Sequence, residues 1–231
     1  MRVVGVDGCR GGWVAVAYDA EAGTLSPRVH PYFAEVLSAY PDAACIGVDI
    51  PIGLSEDEPR CCDRAARKVL GKKGPSVFPA PDLRVVTAPT YEKALALSRS
   101  LTGKGMSIMA YSIYAKVAEV NRVMTPSLQE RVVEVHPELG FWALAGYQPV
   151  MSKKRKPDGY RDRRDLLTAA LGVEIPDRAA AFKLQRPAKP DDILDAIVAA
   201  WCARRWAEGI AERLPPVPPR DIRGLRMEIV Y

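Results

Sequence analysis

"VVGVDGCRGGWVAVAYD", residues 3–19, sets up the architecture of the chain. Val3, Val4 and Val6 make a short β-branched run, which reads as a buried strand over residues 2–6. The run ends at Asp7, "GCRGG" turns the chain, and Trp13 to Tyr18 has the apolar content of a strand returning beside the first. Thr24 to Tyr32 forms a third strand after the Glu-Ala-Gly turn, so the chain opens as an antiparallel meander. Asp7 therefore stands at the end of a buried strand, either as a turn former or as a ligand.

The pattern recurs in "AACIGVDIPIG", residues 43–53, a second short apolar run that ends in an aspartate, Asp49, and is stopped by Pro51 and Gly53. Helix-forming residues precede it, Phe33 to Ala39. The stretch from Ser55 to Pro89 is polar and proline-rich, with one helix expected around Arg60 to Leu70, and two further helices follow at Tyr91 to Leu101 and Ala110 to Met124. Residues 55–125 thus read as an excursion from one domain spanning 1–231, not as a linker. "RVVEVHPE", 131–138, reads as a fifth strand entering a helix at Pro137, a position where proline costs the helix nothing. A helix near Arg161 to Leu171 precedes "KPDDILDAIVAAWCARRWAEG", 189–209, where Ile193, Ala196, Ile197 and Ala200 have the spacing of a helix with one buried face. The proline cluster at 215–219 leads to "LRMEIVY", which reads as an edge strand through which a second copy of the chain could pair into a homodimer.

With 231 residues and 48% apolar content the chain can bury a sizeable core, so disorder is not the default. No apolar run approaches the roughly 20 residues of a membrane span, and Met1 to Gly8 do not read as a secretion signal, so a soluble cytoplasmic protein is expected. Five cysteines without C-x-x-C spacing, and two histidines, support neither a zinc finger nor a disulfide framework. The net charge of +5 favours anionic partners. "KKRK" at 153–156 with Arg161, Arg163 and Arg164 gathers seven cations in twelve residues, either as a solvated loop or as a phosphate-contacting one.

The acids carry the chemistry. If the strands ending at Asp7 and Asp49 are parallel neighbours, their side chains converge at the sheet edge where ligands of open α/β sheets collect. Converging carboxylates call for a divalent cation, and magnesium prefers oxygen ligands. Asp192 and Asp195, three residues apart near the start of the last helix, lie on one face. Asp192 reads equally well as part of a helix cap. Asp195 within an apolar helical run and Glu134 within its strand are harder to dismiss, because a buried unpaired carboxylate is costly. His136 serves either a structural hydrogen bond or the site, and the glycines at 8, 11 and 12 either a tight hairpin or close approach of substrate.

In order and spacing, "GVDGCRGGW", "GVDIPIGL", "EVHPE" and "DDILDAIVAAW", with "RCCDRAARKVLG" and "DGYRDRRDLL" between them, resemble an uncharacterised family of predicted nucleases with a ribonuclease H-like fold, the domain of unknown function 429. The resemblance implies an α/β fold with a five-stranded mixed sheet flanked by helices. Its first three strands are antiparallel, its first and fourth adjacent and parallel, and the excursion is a helical insertion after the fourth. It also implies two-metal phosphodiester hydrolysis in nucleic acid with Mg2+ or Mn2+. Asp7 would bridge the metals, Asp49 and Asp195 would each ligate one, and Asp192 or Glu134 would complete a shell or orient water. Arg10, Lys153 or Lys154 would hold phosphate oxygens, with Gly11 and Gly12 giving close approach and Arg164 and His136 as further substrate contacts.

Two other functions compete. An actin-like ATP-dependent phosphotransferase also starts with an Asp-Gly phosphate turn, but it needs a second one in a duplicated half, and "GVDIPIG" follows only 42 residues later. A catalytically idle nucleic-acid-binding or scaffold protein would keep the fold without needing the acids.

Overall fold

Strand β1 (Arg2–Cys9) outruns its β-branched segment because its partner β2 (Gly12–Asp19) pairs with it along the whole length, from Arg2 opposite Asp19 to Cys9 opposite Gly12. Arg10 and Gly11 are then the whole hairpin loop, and Gly12, at φ 124°, lies where a Cβ would run into the backbone of His30 and Pro31. β3 (Thr24–His30) completes the meander against β2. The structure is a computed structural model that describes residues 1–231 apart from 57 and 185.

After α1 (Phe33–Ala39) the chain returns as β4 (Ile46–Val48), parallel to β1, and β5 (Val132–Glu134) adds in parallel beside β4. The five-stranded sheet has the order β3-β2-β1-β4-β5, mixed, with β1 at its centre. Between β4 and β5 lies the insertion: α2 (Cys61–Leu70), a 3-10 turn at Gly71–Ser76, α3 (Tyr91–Thr102), α4 (Ile108–Tyr111) and α5 (Tyr114–Val123). One helix was expected over 110–124; it is two, interrupted at Ser112, whose hydroxyl donates to the Met109 carbonyl at 2.7 Å and so takes up a backbone acceptor of the turn.

Beyond β5 come α6 (Pro137–Leu144), α7 (Pro157–Leu171), α8 (Arg178–Leu184) and α9 (Pro190–Ala207). α7 starts four residues earlier than Arg161, with Pro157 in its first turn, and α8 has no counterpart in the sequence reading. The terminal strand is not an open edge. β7 (Ile229–Val230) pairs with β6 (Arg213–Leu214), Val230 bridges Val135 beyond β5, and both β7 residues are buried. A second copy would have to displace these contacts to pair there. Among the described residues no helix is long and apolar enough to cross a membrane.

The sheet separates two apolar layers. Val4, Val6, Ile46, Val48 and Val132 face α1 and α5, whereas Val3, Val133 and Val135 face α9. α9 approaches that second face closely because Gly5 and Gly47 lie beneath it: a Cβ on Gly5 would overlap the Ala196 carbonyl, and one on Gly47 would sit 2.5 Å from the carbonyl of Ala199. The helix answers with Ala196, Ala199, Ala200 and Ala203, all buried.

Candidate active site

Asp49 continues the β4 register by one residue, its amide donating to the Val6 carbonyl at 2.9 Å, so Asp7 and Asp49 stand side by side, about 5 Å apart between backbones. Strand alternation turns both toward α9, as it does Gly5 and Gly47. Because Ala196 and Ala199 cross Gly5 and Gly47, the preceding helical turn, with Asp192 and Asp195, lies over Asp7 and Asp49. The two glycines thus set the height at which a third carboxylate meets the first two.

The electrostatics reflect that crowding. Burial and then the charges of Asp49 and Asp195 push the Asp7 carboxyl well above the ordinary carboxylate range. Burial, followed by Asp195, pushes Asp49 up to about 8, and burial also raises Asp195 against the opposing pull of Lys154. Asp7 accepts a hydrogen bond from the Gly8 amide at 2.6 Å. Asp195 Oδ1 is buried with no partner, and the Asp49 carboxylate joins no hydrogen bond or ion pair among the described residues. The counter-charge is Lys154, whose ammonium pairs with Asp195 Oδ2. Burial works against that ammonium, yet Asp195, Asp7 and Asp49 hold it above its ordinary range. Among the described residues no group of three or more His, Cys, Asp or Glu side chains is drawn together closely enough to hold a metal ion, and all five cysteines are free thiols.

Glu134 does not join this cluster. It pairs with Val48, so the alternation that turns Asp49 toward α9 turns Glu134 to the opposite face. There both carboxylate oxygens accept from the Arg60 guanidinium at 2.7 Å, and Oε2 also accepts from the Ile52 amide at 2.7 Å. Burial raises Glu134 to about 7 against the pull of Arg60. Asp63 closes the other side of Arg60 at 2.6 Å, making a buried triad that ties α2 to the end of β5.

Asp192 accepts from the Lys189 amide at 2.8 Å and thereby caps α9, while its charge still adds to that facing Asp7. His136 fills the N-cap position of α6, with Nε2 3.4 Å from the Ser76 carbonyl and Nδ1 unpartnered; burial lowers its pKa. Arg10 is exposed at the hairpin loop, where Gly11 packs on Pro187 and Gly12 on the His30 and Pro31 backbone, so protein already occupies the space beside both glycines. Lys153 is exposed next to Lys154, and Arg164 pairs with Asp165 at 2.7 Å on α7. Arg163 differs from the other cations of this stretch: it is fully buried, bonds Glu138 at 2.9 and 3.0 Å and the Ser152 carbonyl at 2.9 Å, and so fastens the loop from which Lys154 reaches the acids.

The sequence reading missed Lys116. Its stem packs where Gly8 has no side chain, its ammonium lies 4.4 Å above the Trp13 ring centre, and it donates to the Gly12 carbonyl. Burial lowers its pKa, opposed first by Cys9, then by Glu119, Asp7 and Asp192, which places the charge near Asp7. The signal was Gly8 itself, a strand glycine in a pair with Trp13, which marks a close approach by something else.

No curated protein and no solved structure matches the chain. A family model described as "Protein of unknown function (DUF429)" matches residues 5–220, a span that takes in Asp7, Asp49, Lys116, Lys154 and Asp195, and the chain belongs to that family.

Proposed function

We propose that the protein is a metal-dependent nuclease of ribonuclease H-like fold, hydrolysing phosphodiester bonds in nucleic acid at the edge formed by Asp7, Asp49 and Asp195. The observation that carries this reading is the convergence of three carboxylates from β1, β4 and α9, near enough to raise one another's pKa though not drawn together as a closed metal site in this arrangement, with Lys154 in ion-pair contact with Asp195. Such a group is unfavourable in a fold unless cations serve it. The strand order, with β1 central and β4 parallel to it, supports the ribonuclease H-like assignment.

The donor set suits a hard divalent cation. All the donors are carboxylate oxygens: the buried, unpartnered Asp195 Oδ1 and the half-buried Asp49 carboxylate, which has no partner among the described residues, are the atoms such an ion would satisfy. Asp7, Asp49 and Asp195 would hold Mg2+ or Mn2+, with Asp192 at the margin and Lys154 withdrawing from Asp195 to make room. A bound cation supplies an activated water and stabilises the departing oxygen. Cations of the chain would position the substrate: Lys154 pairs with Asp195, Lys116 reaches the Gly12 carbonyl with its charge felt at Asp7, and Arg10 and Lys153, both exposed on neighbouring segments, would serve phosphate oxygens. The actin-like alternative needs two such sheets, and one is found among the described residues.

The test is cleavage of end-labelled DNA and RNA, single- and double-stranded, in Mn2+ and in EDTA. We expect metal-dependent products with one of these substrates, and rate losses of at least about a hundredfold in Asp7→Asn and Asp195→Asn. Retained cleavage in both folded variants, or no cleavage of any substrate by the wild type, would move the assignment to a binding or scaffold role.

A further inference from the structure

The insertion between β4 and β5 encloses a cavity of about 680 Å³, and every residue lining it lies between Ser55 and Tyr114. That volume is in the range of small-molecule sites, roughly 300–1,000 Å³. Two of its lining acids are already paired, Asp63 with Arg60 and Asp82 with Arg84. The other charged side chains are three cations, Arg64, Arg67 and Lys104, and one anion, Glu58. Arg64 donates to the Pro59 carbonyl, while Arg67 and Lys104 have no side-chain partner among the described residues. Arg64 and Arg67 are one helical turn apart on α2 and face the same way, and Lys104 comes from the loop after α3. That loop is tied back to α3, the Ser98 hydroxyl donating to the Lys104 carbonyl at 2.8 Å. The rest of the lining combines apolar side chains, among them Phe78, Met106 and Tyr114, with the hydroxyls of Ser55, Ser98, Thr102 and Ser107.

A lining that combines unpaired cations with aromatic rings and a thioether suits a phosphate ester on a planar body. The cavity lies behind the sheet end that carries the acids: its lining begins at Ser55, six residues after Asp49, and Arg60, which lines it, bonds both oxygens of Glu134, which faces away from Asp49 across the sheet but whose charge still reaches it. We propose that this cavity binds one unpaired nucleotide, base and phosphate together, of the strand cleaved at Asp7, Asp49 and Asp195; the inference rests on the nuclease reading. The insertion then favours single-stranded or distorted nucleic acid, because a paired base enters only after being unpaired and unstacked, at an energetic cost that an unpaired base does not bear.

The test is calorimetric titration in EDTA, where no cleavage occurs, with AMP, adenosine, inorganic phosphate and a short single-stranded oligonucleotide as probes. AMP is expected to bind saturably and more tightly than adenosine or phosphate alone. Arg67→Glu and Lys104→Glu, both at exposed positions, should each weaken AMP and the oligonucleotide by about tenfold with circular dichroism and Tm unchanged. Asp7→Asn should leave AMP binding as it is. Absence of saturable AMP binding, AMP binding no better than phosphate, or affinities unmoved by both charge reversals would overturn the site. Loss of AMP binding in Arg67→Glu with oligonucleotide affinity unchanged would make it a site for free nucleotides and overturn the assignment to the cleaved strand. Failure of the nuclease reading appears separately, in metal binding and cleavage at Asp7, which this titration does not measure.

Discussion

Replacing Asp49 by asparagine is expected to stabilise the protein in the absence of divalent metal. Asp49 stands beside Asp7 and under Asp195, and its carboxyl is pushed from 3.8 to about 8. A group whose folded pKa lies above its unfolded value favours the fold while protonated and loses that advantage as pH rises; for Asp49 the window runs from about 4 to about 8. At pH 7 the displacement amounts to roughly three units, a ceiling of about 4 kcal/mol at ~1.36 kcal/mol per unit. Shared among coupled carboxylates and relieved in part by Lys154, the gain in Asp49→Asn should be about 1–2 kcal/mol. For a chain of this length that is a Tm rise of about 3–6 °C. Thermal melts by circular dichroism in EDTA, from pH 5 to pH 8, read it directly: the variant's advantage should be small at pH 5 and grow toward pH 8. A variant that melts at or below the wild type at pH 8, or a difference that does not change with pH, would refute the reasoning that these carboxylates repel one another.

Lys154→Met removes the ammonium that competes for Asp195 and should tighten Mn2+ binding about tenfold by calorimetry; weaker binding would show the lysine to be part of the metal-bound arrangement instead. Glu134→Gln leaves Arg60 with Asp63 as its remaining carboxylate in a buried site and should cost about 3–5 kcal/mol in urea unfolding, while an effect below about 1 kcal/mol would deny the triad its structural role. Gly47→Val drives a side chain into the Ala199 carbonyl and should lower stability by about 3 kcal/mol or prevent folding, and a variant as stable as the wild type would mean that α9 does not need this close approach.

The meander and the two acid-ended strands were legible because a short apolar run followed by an aspartate occurs twice, at residues 2–6 before Asp7 and 43–48 before Asp49, while the parallel pairing of those strands was implied by the family resemblance and not by the residue pattern. Asp195 was legible for the same physical reason, a carboxylate within an apolar helical face. Glu134 looked equivalent, but in a strand of only three residues the sequence does not reveal which side chains face which layer; pairing with Val48 decides that, and it puts Glu134 behind the sheet. Gly5 and Gly47 went unread although a glycine inside a strand marks a close approach, here of the alanine-rich α9. Lys154 could not be told from Lys153 in "KKRK", since only the fastening of that loop by buried Arg163 selects which one reaches Asp195. Lys116 resembled any solvated residue of an amphipathic helix until the gap at Gly8 gave its stem a place.

The central claim, that Asp7 belongs to a cation-binding acidic edge, is tested most directly by titrating Mn2+ into the wild type and Asp7→Asn by calorimetry, with far-UV circular dichroism as the folding control. Saturable binding by the wild type that weakens at least about tenfold in the folded variant is the predicted result. Equal binding by both proteins, or binding by neither, would contradict it.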